Sequence, residues 1–326
     1  MVQNEFVLAP ASANRRLSGI LCSAIWGGDR RGVKLLITGA GGLVGRAMVE
    51  HCAREGDQIV GLDHAALDIT DERGVNNALD RERPDVVINC AAWTDVDGCE
   101  LDPERAKKTN ARGPELLALS CRRLGASLIT ISTDYIFDGG KDGFYTQRDQ
   151  PNPQSVYGIS KLEGERRAQQ AWARTIVVRS GYIFGAGGRN FLSALVARAR
   201  RGEQVQAIAD MFGTPTYARD LARRLARLAR LDVPGTYHVV NSGEGVSFLD
   251  FARAAFEVAR LDNTLLESVS LDSLKRRAPR PRNSRLRCLL AEAMGLEPLP
   301  FWQDALRDFI AAPFPEEAAN AGNRSV

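Results

Sequence analysis

The chain has 326 residues, 44% of them hydrophobic and 25% charged, and a net charge of +3. That length buries a sizeable core in one large domain or two modest ones, and the composition is that of a soluble globular protein. So small a net charge gives no case for a nucleic-acid partner, and no run approaches the roughly 18 apolar residues that span a bilayer. Residues 1–32 read as a disordered extension. Within them "NRRLSGILCSAIWGG" only superficially matches a secretory leader, because Glu5 lies upstream and no clean cleavage site follows. Val33 opens the first convincing strand, so translation is expected to begin near there; native protein starting at Met1 would sink that expectation.

From Val33 short apolar runs alternate with helical patterns. "VKLLITGA" (33–40) reads as a buried strand, followed by the helix "LVGRAMVEHCAREG". "DQIVGLD" (57–63) is a second strand, and a helix around 71–81 leads to a third, "PDVVINCAA" (84–92). "PERAKKTNARGPELLALSCRRLG" is helical over most of its length. "ASLITISTDYIF" (126–137) and "ARTIVVRSGYIFG" (173–185) are the fourth and fifth strands, with "VYGISKLEGE" helical between them. "GTYHVVNSG" (235–243) is the sixth. Continuous Val/Ile/Leu strands separated by helices predict an α/β fold, a Rossmann-type doubly wound parallel sheet covered on both faces.

After residue 185 the pattern changes. "NFLSALVARARRGEQV", "YARDLARRLARLARL" and "SFLDFARAAFEVARL" are amphipathic helices, the last with Ser247 as its N-cap. "SLKRRAPRPRNSRLR" (273–287) carries seven basic residues with little aromatic interleaving, which reads as a loop near phosphates or a surface strand. The expected organisation is a dinucleotide-binding domain over 33–184 with a returning strand near 214–242. A smaller substrate-binding α/β subdomain takes 185–213 and 243–312, and 313–326 form a disordered tail. Six scattered cysteines without a CxxC, and only three histidines, argue against structural zinc and a disulfide framework. Reduced thiols and a cytoplasmic location follow.

"TGAGGLVG" (38–45) holds Gly39, Gly42 and Gly45 in a GxxGxxG spacing, directly after a strand and opening a helix. Glycines let the backbone turn tightly and approach a pyrophosphate, which the helix N-terminus then faces with free N–H groups. An acidic residue at the end of the second strand suits the ribose 2′-OH, and Asp63 fits. A carboxylate there repels a 2′-phosphate, so the reading leans to NADH over NADPH. Asp68 is placed to meet the adenine ring, with a helix-capping role as the alternative.

Tyr157 and Lys161 stand four residues apart on one helical face. The whole chain holds only six tyrosines and six lysines. Bringing a phenol from a pKa near 10 down about three units takes roughly 4 kcal/mol. One ammonium at ~4 Å supplies about that at an effective dielectric of ~20. Lys161 is therefore expected to acidify Tyr157 into a proton donor near neutral pH. Ser132 and Thr133 end the fourth strand, at the sheet edge where open α/β folds bind ligands. Glycine loop, hydroxyl, tyrosine and lysine in this order make a hydride-transfer site for a carbonyl or alcohol.

From about Val33 to about Ile310 the sequence resembles the extended short-chain dehydrogenase/reductases, and within them the dTDP-4-dehydrorhamnose reductase family. "NCAAWTDVDGCE", Asn110, "STDYIFDG", "PQSVYGISKLEGE", "GTPT", "GTYHVVNSGEGVSFLDFA" and "RPRNSRL" carry the resemblance as a set. It implies Thr133, Tyr157 and Lys161 as the catalytic triad. It implies cofactor contacts at Gly39, Gly42, Leu43, Val44, Gly45, Asp63, Asp68, Ile69, Ala91, Ala92, Thr94 and Asn110, besides Tyr157 and Lys161. For the substrate it implies Val96, Ser132, Thr133, Tyr135, Tyr182, Asn190, Arg280 and Asn283. The implied reaction is NADH- or NADPH-dependent reduction of the C4 ketone of a nucleotide-linked hexulose to dTDP-L-rhamnose. The implied assembly is a monomer or homodimer. Mg²⁺ is a family cofactor for which no ligand is assigned here. Trp93 and Tyr182 depart from the family's usual tyrosine and tryptophan, which leaves the sugar specificity open. Asp134 is followed by Tyr135 rather than by a second acid, which argues against a dehydratase. An epimerase, another 4-keto-sugar reductase and a non-catalytic dinucleotide-binding regulatory subunit stand as alternatives.

Overall fold

The structure, a computed structural model, describes residues 32–188 and 190–311. The expected N-terminal extension and C-terminal tail lie outside the described residues. The central strands are β1 (Lys34–Thr38), β2 (Gln58–Leu62), β3 (Val86–Asn89), β4 (Ser127–Thr133) and β5 (Thr175–Ser180). Short strands follow: β6 (Ile183–Phe184), β7 (Val205–Ile208), β8 (Phe212–Gly213), β9 (Thr216–Tyr217), β10 (Gly235–His238), β11 (Val246–Ser247) and β12 (Leu266–Val269). The helices are α1 (Leu43–Arg54), α2 (Glu72–Glu82), α3 (Val96–Leu101), α4 (Pro103–Lys107), α5 (Gly113–Leu124) and α6 (Val156–Ala171). They continue as α7 (Phe191–Arg200), α8 (Ala218–Leu231), α9 (Phe248–Ala259), α10 (Leu289–Ala293) and α11 (Trp302–Ala311).

Six strands form one parallel sheet in the order β10-β5-β4-β3-β1-β2. Alternate side chains of a strand point to opposite faces. Leu35, Ile37 and Ile88 accordingly join a core with Met48 of α1 and Leu221 and Leu225 of α8. Leu36, Val87 and Leu128 join another with Leu79 of α2, Leu117 of α5 and Ala168 of α6. The doubly wound sheet read from the sequence is the sheet observed.

Several expectations change at their ends, and the sixth strand, expected over 235–243, stops at His238. The fourth strand stops at Thr133, whose hydroxyl accepts a bond from the Tyr135 amide (3.2 Å) and turns the chain into a 3₁₀ turn. The fifth stops at Ser180, because Tyr182 has a left-handed φ of 46° and breaks the extended run. Ile183 and Phe184 then pair with Thr216 and Tyr217 instead. The helix expected over 190–205 ends at Arg200, with Gly202 left-handed at φ 77°, and releases β7 to pair with β12. A separate core gathers Phe184, Val196, Phe251, Phe256, Trp302 and Phe309.

Candidate active site

The sheet order reverses at β1. The chain runs outward from β1 to β2, then returns to β3 on the other side. Ligands of open α/β sheets bind outside the strand ends at such a switch point. Gly39, left-handed at φ 66°, leaves β1 there, and a Cβ on it would stand 2.7 Å from the Ala91 amide nitrogen after β3. A Cβ on Gly45 would stand 2.1 Å from the Gly39 carbonyl, so only glycine lets α1 seat against the turn. Gly42 caps α1 without a side-chain bond, which leaves the first-turn amides of that helix facing outward.

These residues open onto a cavity of about 730 Å³. Gly39, Gly42, Asp63, Asp68, Ile69, Ala91 and Ala92 line it. Leu43 and Val44 instead pack onto the core beneath the loop. Gly45 is buried in the turn, and Thr94 is exposed beyond the lining. Asn110 lies outside the lining. It is 1% exposed, its Oδ1 accepts from Trp93 N (2.8 Å), and its Nδ2 donates to Trp93 O and Ser160 Oγ. It clamps the cavity wall to α6 from a one-turn π-helix, Lys108–Arg112. A Cβ on Gly164 would meet the Asn110 carbonyl at 2.1 Å, so a glycine on α6 permits that approach. Asp63 caps its own turn, its Oδ1 accepting from Ala66 N (2.9 Å). Asp68 accepts from Thr70 N (2.8 Å); burial opposes its ionisation, and the Thr70 bonds hold its carboxyl below the usual range. Arg105 and Lys108 line the same cavity and went unremarked in the sequence, since nothing in the spacing brings 105–108 to the end of β2; His64, beside Asp63, lines it too.

Tyr157 is on the first turn of α6, which Ser155 caps by accepting from Gly158 N (3.1 Å). Its ring, 9% exposed, packs among Cys99, Trp93, Val96 and Tyr135. Burial pushes its phenol well above the ordinary value, and a hydrogen bond with Thr133 opposes that push. Lys161, 5% exposed, donates to the Ile131 carbonyl at 2.6 Å. Burial lowers its pKa to about 8 against the pull of Glu165. Burial is thus the largest influence on the phenol, and the contact that lowers it is Thr133. The Thr133 hydroxyl donates to Asp134 Oδ1 (3.0 Å), and Ser284 Oγ donates to Asp134 Oδ2 (2.5 Å). Burial raises the Asp134 carboxyl to about 6, against the bonds from Ser284 and Thr133. The hydroxyls of Ser132 and Ser180 are buried and without a hydrogen-bond partner. Two orphaned hydroxyls at the sheet edge and a glycine cradle that a Cβ would fill suit a bound dinucleotide and its substrate.

A second cavity, about 670 Å³, lies on the other side of Tyr135. The Tyr135 ring meets Tyr157 edge-on at 6.0 Å. Val96, Tyr135 and Arg280 line this cavity, together with Met211, Phe248 and Gln206. Arg280 is bidentate to Asp97 (2.7 Å on each arm), so its charge is already matched by a carboxylate rather than free for a diphosphate. Tyr182 lies tilted against Phe248 (3.9 Å between ring centroids) and donates to Met211 O (3.1 Å), behind the lining. Asn190 and Asn283 lie outside both cavity linings. Asn190 caps α7 and bonds the Gly185 and Gly188 carbonyls. Asn283 donates to the Lys141 and Gly143 carbonyls and accepts from Arg285. Both amides are spent on loop structure, because Asn is the residue that best mimics a missing backbone partner.

The family described as RmlD substrate binding domain matches residues 33–313. The chain belongs to the dTDP-4-dehydrorhamnose reductase family. A dTDP-4-dehydrorhamnose reductase of Mycobacterium tuberculosis (strain ATCC 25618 / H37Rv) is 40% identical over 289 residues, 87% of this chain and 94% of that protein. A probable dTDP-4,6-dihydroxy-2-methyloxan-3-one 4-ketoreductase of Streptomyces antibioticus is 35% identical, over 87% and 98%. The crystal structure of the Bacillus anthracis dTDP-4-dehydrorhamnose reductase in complex with NADP aligns with a TM-score of 0.81 at 32% identity, over 85% of this chain and 98% of that one. Among the described residues of this reductase-family chain, no group of three or more His, Cys, Asp or Glu side chains gathers to hold a metal. No described helix is long and apolar enough to cross a membrane.

Proposed function

We propose that the protein reduces the C4 ketone of dTDP-4-dehydro-L-rhamnose to dTDP-L-rhamnose with a nicotinamide cofactor. The observation that carries this is the buried Tyr157, packed with Tyr135 and Trp93, which line the two cavities. The Gly39–Gly42 turn, Asp63, Asp68, Ile69, Ala91 and Ala92 would hold the cofactor. In its reduced form the cofactor supplies the hydride. Tyr157, protonated at any working pH because of its burial, donates the phenolic proton to the ketone oxygen. Thr133 orients that oxygen, and Lys161 sets the charge behind the tyrosine and meets the nicotinamide ribose. Val96, Tyr135 and Arg280 form the substrate wall. Asp63 favours NADH; Lys108 and Arg105 in the same cavity are the groups that would admit a 2′-phosphate. Mg²⁺ has no residue in this reading. The core of Val196, Phe251 and Trp302 supports treating 185–213 and 243–312 as the substrate subdomain, beside a dinucleotide domain over 33–184.

The test is the fall in 340 nm absorbance of NADH and NADPH, separately, with dTDP-4-dehydrorhamnose generated in situ. Substrate-dependent oxidation is expected, faster with NADH. Binding of both cofactors without oxidation would instead support a regulatory subunit. A related 4-keto-sugar is the second reading. It is favoured by Trp93, which holds Arg105 over its ring at 4.3 Å, and by the Streptomyces antibioticus relative.

A further inference from the structure

Beneath the lysine lies a second buried ionic layer that the reaction does not use. Glu165 stands one turn after Lys161 on α6, and both are almost fully buried. Arg179 of β5 grips Glu165 with three contacts, Nε to Oε1 at 3.0 Å and to Oε2 at 3.2 Å, and Nη2 to Oε2 at 2.7 Å. The two anchors are neighbours in the sheet. Lys161 is tied to the Ile131 carbonyl of β4, and Arg179 lies opposite Ser132, the next residue of that strand. Behind Arg179, its Nη1 sits 3.5 Å from His238 Nε2 on β10. Burial and the Arg179 charge keep that imidazole neutral, so it adds no third cation. The remaining titratable group facing the lysine from a neighbouring strand is the Cys90 thiol, which burial keeps protonated.

The layer therefore holds two buried cations and one anion. A buried charge persists only when it is paired. If the anion goes, one cation must yield, and a guanidinium does not lose its proton in a protein whereas a buried ammonium does. We propose that Glu165, fixed by Arg179, is a positioning residue that holds Lys161 in its ammonium form. This rests on the reading of Lys161 as part of the reductase site. It is distinct from that site, because Glu165 faces the sheet interior rather than either cavity.

The test begins with the lysine itself. With only six lysines in the chain, ¹³Cε-lysine labelling resolves the Lys161 titration, which Lys161→Met assigns by its disappearance. In Glu165→Gln the Lys161 midpoint is expected to fall by at least ~1 pH unit. The alkaline limb of kcat/KM should move down with it, while KM for the cofactor at low pH changes less than twofold. If Glu165→Gln does not fold, Glu165→Asp keeps the charge at a longer reach and gives a smaller shift in the same direction. An unchanged Lys161 midpoint in the folded variant overturns the proposal. A shifted midpoint with an unshifted kcat/KM limb upholds it and overturns the catalytic reading of Lys161.

Discussion

Tyr157 shows how one side chain takes its properties from where it is buried. The YxxxK spacing puts Tyr157 and Lys161 on one face, and both are on the buried face of α6. Spacing alone does not say what each group faces. The ammonium turns to the Ile131 carbonyl, while the phenol turns to Thr133. Tyr157→Phe removes the proton donor and little volume. It should lose at least about two orders of magnitude in kcat while cofactor binding, read by fluorescence titration, is retained. Near-normal turnover would end the assignment of Tyr157 as the acid. Asn110, Asn190 and Asn283 carry the converse lesson. Each was legible as a motif residue, but its amide is consumed by backbone groups, distant in sequence for Asn110 and Asn283 and local for Asn190, and sequence does not list backbone vacancies.

Between elements, two contacts hold the walls of the site. The first is α6 against the Lys108–Arg112 turn, where Gly164 meets the Asn110 carbonyl. Gly164→Ala places a methyl at 2.1 Å from that oxygen, and rigid backbone cannot yield as a side chain would. A loss of about 1–3 kcal/mol is expected in urea denaturation, despite alanine's better helix propensity. Wild-type stability in that variant would show that the helices separate freely. The second contact is Arg280 with Asp97, which ties the basic 278–286 segment to α3. The Arg280 bond holds the Asp97 carboxyl down to about 2. A depressed carboxyl gives stability that is present above its unfolded value near 3.8 and is lost as pH falls through about 2. Arg280→Ala should therefore flatten the decline in melting temperature between those two values. An unchanged acid slope would mean the pair contributes nothing to folding. The Asp97 side chain is 37% exposed, so water screens the pair.

At the scale of the whole molecule, the two cavities lie on either side of the Trp93–Tyr135–Tyr157 cluster. A ligand that binds only the folded chain stabilises it by mass action. Cofactor at about 100 times its dissociation constant adds roughly 2.7 kcal/mol. NADH or NADPH should accordingly raise the melting temperature measurably, and Tyr157→Phe should keep that rise. A melt indifferent to both nucleotides would remove the dinucleotide reading altogether.

By itself, the sequence determined the doubly wound sheet, the glycine turn and the tyrosine–lysine helix. Each depends on local periodicity or on spacing within one element, and such signals survive without knowledge of neighbours. The tertiary structure alone decided which strands stop early, since Thr133 and Tyr182 turn the chain by contacts and backbone angles that no periodicity encodes. It also decided the charge environment of Lys161. Glu165, Arg179 and His238 come from one helix and two strands, Arg179 and His238 being 59 residues apart, and meet only because the sheet sets β5 between β4 and β10. Pairing of buried charges is a property of distance in space, and distance in space is what a sequence leaves unstated.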